Sequence, residues 1–163
     1  ISGLKAKSIF ADIKQISKKV KMDDNAQVMI NFNNEAKGIL WTSVSAKGGV
    51  YGLRIRLFGE KGSLEWVQND PGYLKLNPAK RAARLLERGF HDAKYSKNFS
   101  RIKYGHPEGY LDAFANIYRE FAKSLKNKSG YKYVYPNEDE GLETAKFIEA
   151  CTVSSKRKRW VKL

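Results

Sequence analysis

Few side chains in this sequence can do chemistry, and one group of them is notable for its spacing. Tyr104-Gly105-His106-Pro107-Glu108-Gly109-Tyr110 sets an imidazole just ahead of a segment with helical periodicity. A helix start offers backbone N–H groups with no partner inside the helix, and Gly105 lets a ligand approach the chain closely. An imidazole placed there can bind a hydroxyl or pass a proton. A capping or packing histidine is the plainer reading of the same residue. His91 sits in a polar stretch and reads as solvated. Cys151 follows Phe147 by four residues in a helical pattern, which reads as a buried small hydrophobe rather than a nucleophile. One cysteine and two histidines make no recognisable zinc site. No Gly-x-Gly-x-x-Gly or Walker loop is present, and Gly59-x-x-Gly62 reads as a hairpin turn. Asp23-Asp24 and Glu138-Asp139-Glu140 read as turn and helix-start acids, because adjacency does not oppose two carboxylates in space.

The elements that must hold these groups follow from periodicity. Residues 5–15 alternate as a strand, with Lys7, Ile9, Ala11 and Ile13 on one side. Val28, Ile30 and Phe32 alternate with polar neighbours, and Asn33-Asn34 turns the chain into a second run from Gly38 to Ser45. Leu53, Ile55 and Leu57 alternate with Arg54, Arg56 and Phe58. Gly59-Glu60-Lys61-Gly62 returns the chain through Leu64 and Trp66. Asn69-Asp70-Pro71-Gly72 leads to a short last strand from Tyr73 to Leu76. Turns this short make neighbouring strands antiparallel.

Ala79 to Arg88 suits one or two basic helical turns, and Gly89 to Tyr104 has no clean period. Tyr110, Phe114, Ile117, Phe121 and Leu125 recur at spacings of three and four. This predicts an amphipathic helix from Pro107 to about Asn127, ended by Ser129-Gly130. Tyr131 to Tyr135 reads as extended, its tyrosines also able to stack bases. Pro136-Asn137 opens a second helix over 138–156, with acids in its first turn and Lys156-Arg157-Lys158-Arg159 at its end. That basic run also matches a nuclear or polyanion signal. Strands followed by helices predict an α+β class: an open, mainly antiparallel sheet with helices packed on one face, as one domain over 1–163. Trp41, Phe58 and Trp66 are large for a solvated sheet face, which implies that a second subunit covers them.

Composition narrows the classes. The 163 residues carry 31 Lys and Arg against 17 Asp and Glu, a net charge of +14. The excess sits in four stretches: 1–22, 76–104, 119–132 and 156–163. Residues 23–75 are neutral. Scattered cations read as a solvated surface; gathered on one face they would make a binding module for nucleic acid or another polyanion. A purely structural dimer module is a third reading. The lone Cys151 excludes an internal disulfide framework and fits a reducing, cytoplasmic setting. No apolar run approaches the roughly 18 residues of a membrane span. An Ile-Ser-Gly-Leu start without Met suggests a piece of a longer chain.

Three stretches resemble a known family. They are Asp23-Asp24 through Gly38-Ile39-Leu40-Trp41-Thr42-Ser43; Leu53-Arg54-Ile55-Arg56-Leu57-Phe58-Gly59-Glu60-Lys61-Gly62-Ser63-Leu64-Glu65-Trp66; and Gly105-His106-Pro107-Glu108-Gly109-Tyr110 through Tyr118. Gly141, Phe147-Ile148-Glu149-Ala150 and Trp160-Val161-Lys162-Leu163 follow in order. Together they resemble the C-terminal domain of the Gfo/Idh/MocA oxidoreductases, over nearly the whole chain. The resemblance implies a parent enzyme whose N-terminal Rossmann domain binds NAD or NADP, and whose acid–base motifs lie upstream of Ile1. It implies a sugar, cyclitol or similar polyol as substrate and homo-oligomer contacts through the open sheet face. Neither a membrane nor nucleic acid is an expected partner. His106, and Lys103 as a second candidate, would face the substrate. The chain alone would bind no dinucleotide and would be inactive.

Overall fold

A computed structural model describes residues 2–49, 52–89, 98–103, 105–127, 131–132 and 134–163. The chain forms two compact units: Ile1–Gly49 with Pro136–Leu163, and Val50–Tyr135.

The first unit is a four-stranded sheet with one helix. Strands β1 (Ala6–Lys14), β2 (Asn25–Phe32), β3 (Lys37–Ser43) and β8 (Val161–Lys162) lie in the order β3-β2-β1-β8, all antiparallel. Register places Ile9 opposite Ile30 and Ala11 opposite Val28, so one face is continuously apolar. Helix α2 (Glu138–Arg157) packs on β1 and sets Ala150 and Cys151 into a core with Ile9, Ala11 and Val28. The helix starts where the sequence expects. Asn137 accepts from Glu140 N while the Glu140 carboxylate accepts from Asn137 N, satisfying two helix-start donors reciprocally.

Beyond Ile9 the short β8 no longer covers β1, and its amides need other acceptors. Ser154 and Ser155 supply them: Ala11 N donates to Ser154 Oγ at 3.0 Å and Ile13 N to Ser155 Oγ at 2.9 Å. The loop after β1 is held similarly. Both carboxylate oxygens of the buried Asp24 accept backbone bonds, from Ile16 N and Ser17 N.

The second unit holds the other sheet: β4 (Arg54–Gly59), β5 (Gly62–Val67), β6 (Tyr73–Pro78) and β7 (Arg84–Glu87), antiparallel in sequence order. The α+β class and the antiparallel pairing agree with expectation; the strands divide into two ladders of four. Two local readings are corrected. Arg84–Glu87 is a strand, not part of a basic helical turn, because the open edge of β6 offers a ladder and Leu86 falls opposite Leu74. Phe58 and Trp66 lie on opposite faces of this sheet, since Ile55 pairs with Trp66 and Phe58 with Ser63. Trp66 is half-buried and donates Nε1–H to Pro71 O, while Phe58 is 77% exposed. Trp41 belongs to the sheet of the first unit, on the face with Met29 and Ile39.

Helix α1 (Tyr110–Lys126) follows in the second unit. Its apolar stripe is where the periodicity puts it but is not a core face: Leu111 is 81% exposed and Tyr118 69%. The buried residues are instead Glu120 and Ser124. Tyr131 OH donates to Glu120 Oε2 at 2.8 Å, and the hydroxyls of Ser124 and Tyr135 are 2.6 Å apart. The extended stretch therefore serves α1 through its tyrosines, and none of its described residues is in a strand. Tyr133, the Ser129-Gly130 stop, Tyr104 and His91 lie outside the described residues.

Candidate functional site

Residues 98–103 and 105–109 precede α1, and several of their backbone groups are held by named side chains. Asn116 of α1 donates from Nδ2 to Phe99 O at 2.7 Å and accepts from Arg101 Nε at 3.2 Å. Arg119 donates to Asn98 O at 2.9 Å and lies over the Phe99 ring. At the other end, Glu87 accepts from Gly105 N at 3.0 Å. Arg88 donates to Ile102 O at 3.3 Å and to His106 O at 2.9 Å. It also forms an ion pair with Glu108, whose other oxygen accepts from Arg101 N. The Glu108 side chain is 4% exposed and that of Arg88 19%. Gly105 has φ +80 with open space at its missing Cβ, a bend an L residue seldom adopts.

This network brings the two expected site residues onto one short loop, His106 and Lys103, both exposed. The start of α1 follows at once, its N-cap Gly109 donating from N to Asp112 Oδ2 at 3.2 Å. The sequence reading misses the residues that shape this loop. By pattern alone Arg88 falls at the end of a basic helical turn and Glu108 in the opening turn of a helix. The signal that could have found them is one cation and one acid bracketing a long connection without apolar period.

Other candidates resolve differently. Cys151 is buried in the first unit, and burial pushes its thiol upward, away from thiolate chemistry. Among the described residues no group of three or more His, Cys, Asp and Glu can hold a metal. Glu120 is held below the usual carboxylate range, chiefly by the Lys123 ammonium that donates to it at 2.9 Å. Burial and the bond to Glu120 push the Tyr131 phenol up to about 12. Both belong to the helix-holding cluster, not to an open site. Part of the basic surface is gathered: Lys61, Lys80, Arg81 and Arg84 line an open depression of about 600 Å³ with Glu60, Pro78 and Ala79. No helix among the described residues is long and apolar enough to cross a membrane.

Both described sheets are antiparallel, and Gly59 and Gly62 pair across a hairpin rather than joining a strand to a helix.

Comparison with known proteins agrees with this architecture. The family model "Oxidoreductase family, C-terminal alpha/beta domain" (GFO_IDH_MocA_C) matches residues 5–163. The uncharacterized oxidoreductase YfiI of Bacillus subtilis (strain 168) is 32% identical over 160 residues, which are 93% of this chain and 41% of that protein. An oxidoreductase structure from Sinorhizobium meliloti is 41% identical with a TM-score of 0.94, over 99% of this chain and 48% of that one. An inositol dehydrogenase homolog from Azotobacter vinelandii, complexed with NADH and myo-inositol, is 27% identical with a TM-score of 0.91, over 100% of this chain and 45% of that one. The chain thus spans less than half the length of these relatives, and it belongs to the Gfo/Idh/MocA oxidoreductases as their C-terminal α/β domain.

Proposed function

We propose that this chain is the substrate-side and oligomer-forming part of an NAD(P)-dependent dehydrogenase acting on a sugar, cyclitol or similar polyol. The observation that carries this reading is its likeness, along the whole chain, to an inositol dehydrogenase homolog that holds NADH and myo-inositol. The exposed loop bearing Lys103 and His106 supports it, because an imidazole and an ammonium suit hydroxyl recognition. In this reading His106 hydrogen-bonds a substrate hydroxyl and Lys103 donates to a second one. The N-terminal Rossmann domain of the parent holds NAD or NADP, which supplies the hydride acceptor. The exposed face carrying Met29, Ile39 and Trp41 makes the contact between copies.

His106→Ala in the full-length enzyme, assayed against a panel of sugars and cyclitols, tests the site. Loss of a positioned polar group on the reacting substrate is expected to lower kcat/KM roughly a hundredfold; unchanged efficiency removes His106 from the site. The 163-residue chain alone is expected to reduce no NAD(P) with any polyol, since hydride transfer needs a positioned nicotinamide. Detectable NAD(P)H formation by the purified chain would overturn that expectation.

A further inference from the structure

We infer that Arg88 is a positioning residue for His106, acting through the backbone of the loop it bridges; this deepens the reading above and rests on it. One guanidinium takes the carbonyls of Ile102 and His106 together with the Glu108 carboxylate. Those two carbonyls flank Lys103 to Gly105, so a single planar group fixes both ends of the stretch that carries the candidate site. The neighbouring Glu87 adds a hold just ahead of His106 by accepting from Gly105 N. The bend at Gly105 makes this necessary, because a glycine with open space around it has no side chain to lock its conformation.

The chemistry of the group matters. Arginine presents five N–H donors in a rigid fork, whereas lysine has three donors on one point. Only the fork can serve two carbonyls and a carboxylate at once with fixed directions. Stability alone is a poor account of the pair. A buried ion pair is often no more stabilising than apolar residues of the same volume. Arg88 Nε is moreover buried with no hydrogen-bond partner among the described residues, which adds a desolvation cost. What the arrangement does secure is geometry.

The test is a double-mutant cycle in the full-length enzyme, assayed on whichever polyol it oxidises. Arg88→Lys keeps the charge opposite Glu108 and removes the fork, so it is the variant of choice over Arg88→Ala, which strands a buried carboxylate. Arg88→Lys is expected to lower kcat/KM about tenfold to a hundredfold, the scale of a 1 Å misplacement. The fall should sit mainly in kcat, with circular dichroism and the unfolding midpoint little changed. Combined with His106→Ala it should cost nothing more, because the group it positions is already gone. Full activity of Arg88→Lys, or losses that simply multiply in the double variant, overturns the positioning role while leaving the proposed site standing. An unchanged kcat/KM in His106→Ala overturns the site and the positioning role with it.

Discussion

Gly62→Ala is expected to destabilise the second unit by roughly 2–4 kcal/mol, from positive-φ strain and a backbone clash together. Gly62 has φ +140, and a Cβ there would lie 2.3 Å from Asn77 O and 2.8 Å from Pro78 Cα. Both are backbone atoms of β6, held by the pairing of Gly62 with Pro78, so neither can swing aside as a flexible side chain would. Relief requires opening the β5–β6 ladder at its end. Gly72→Ala is the matched control. Its Cβ would meet nothing within 4 Å and its φ lies outside the strained range, so lower chain entropy should leave stability unchanged or raised by about 0.4–1 kcal/mol. Urea unfolding followed by Trp66, in a background with Trp41 and Trp160 replaced by Phe, reports on this unit. Equal midpoints for the two variants would show that the turn tolerates a side chain.

Ser154→Ala should be nearly as damaging to the first unit, although it deletes a single oxygen. Ser154 is fully buried and its hydroxyl joins two backbone groups, accepting from Ala11 N and donating to Arg159 O at 2.7 Å. Removing it orphans a buried donor, Ala11 N, and takes a part-buried bond from the carbonyl of the exposed Arg159. At about 1–3 kcal/mol for one unsatisfied buried group, with little added by a carbonyl that water can reach, the expected loss is roughly 1–3 kcal/mol. Hydrogen exchange at the Ala11 amide gives the local readout, with protection falling far more than at Val28. A loss below about 0.5 kcal/mol, the size of an ordinary surface substitution, would mean that water replaces the hydroxyl without penalty.

Much of this fold was readable before the structure, for a physical reason. Strands buried on one face leave a period-two trace, and β1 to β5 fall where Ile9, Val28, Leu40, Ile55 and Leu64 announce them. The reciprocal cap at Asn137 and Glu140 is equally local, and so equally legible. What escaped depends on pairing between strands rather than on the pattern within one. β7 is four residues long and exists because β6 offers an edge. β8 is two residues pairing with Ser8 and Ile9 from the far end of the chain. Phe58 and Trp66 look alike in composition, and only cross-strand register assigns them to opposite faces.

The candidate site divides in the same way. His106 and Lys103 are conspicuous by type and by their place before a helix. Arg88 is one of 31 basic residues until its carbonyl and carboxylate partners, 14 to 20 residues onward, are seen. The stripe on α1 teaches a related lesson. Helical periodicity identifies a face that favours burial, but it does not say that the same chain supplies the cover.

The serine bonds across the edge of β1 carry a consequence for the order of events on the ribosome. Ala11 and Ser154 are 143 residues apart in sequence, and the first unit is built from both ends of the chain around a continuous second unit. As synthesis proceeds, residues 50–135 emerge as one piece and can close their own sheet. The β1–β3 meander has been waiting since before then, its apolar face uncovered and the edge amides of Ala11 and Ile13 without acceptors. Closure of that unit must wait until α2 and Val161 leave the exit tunnel. The earliest part of this chain to be made is thus among the last to be finished.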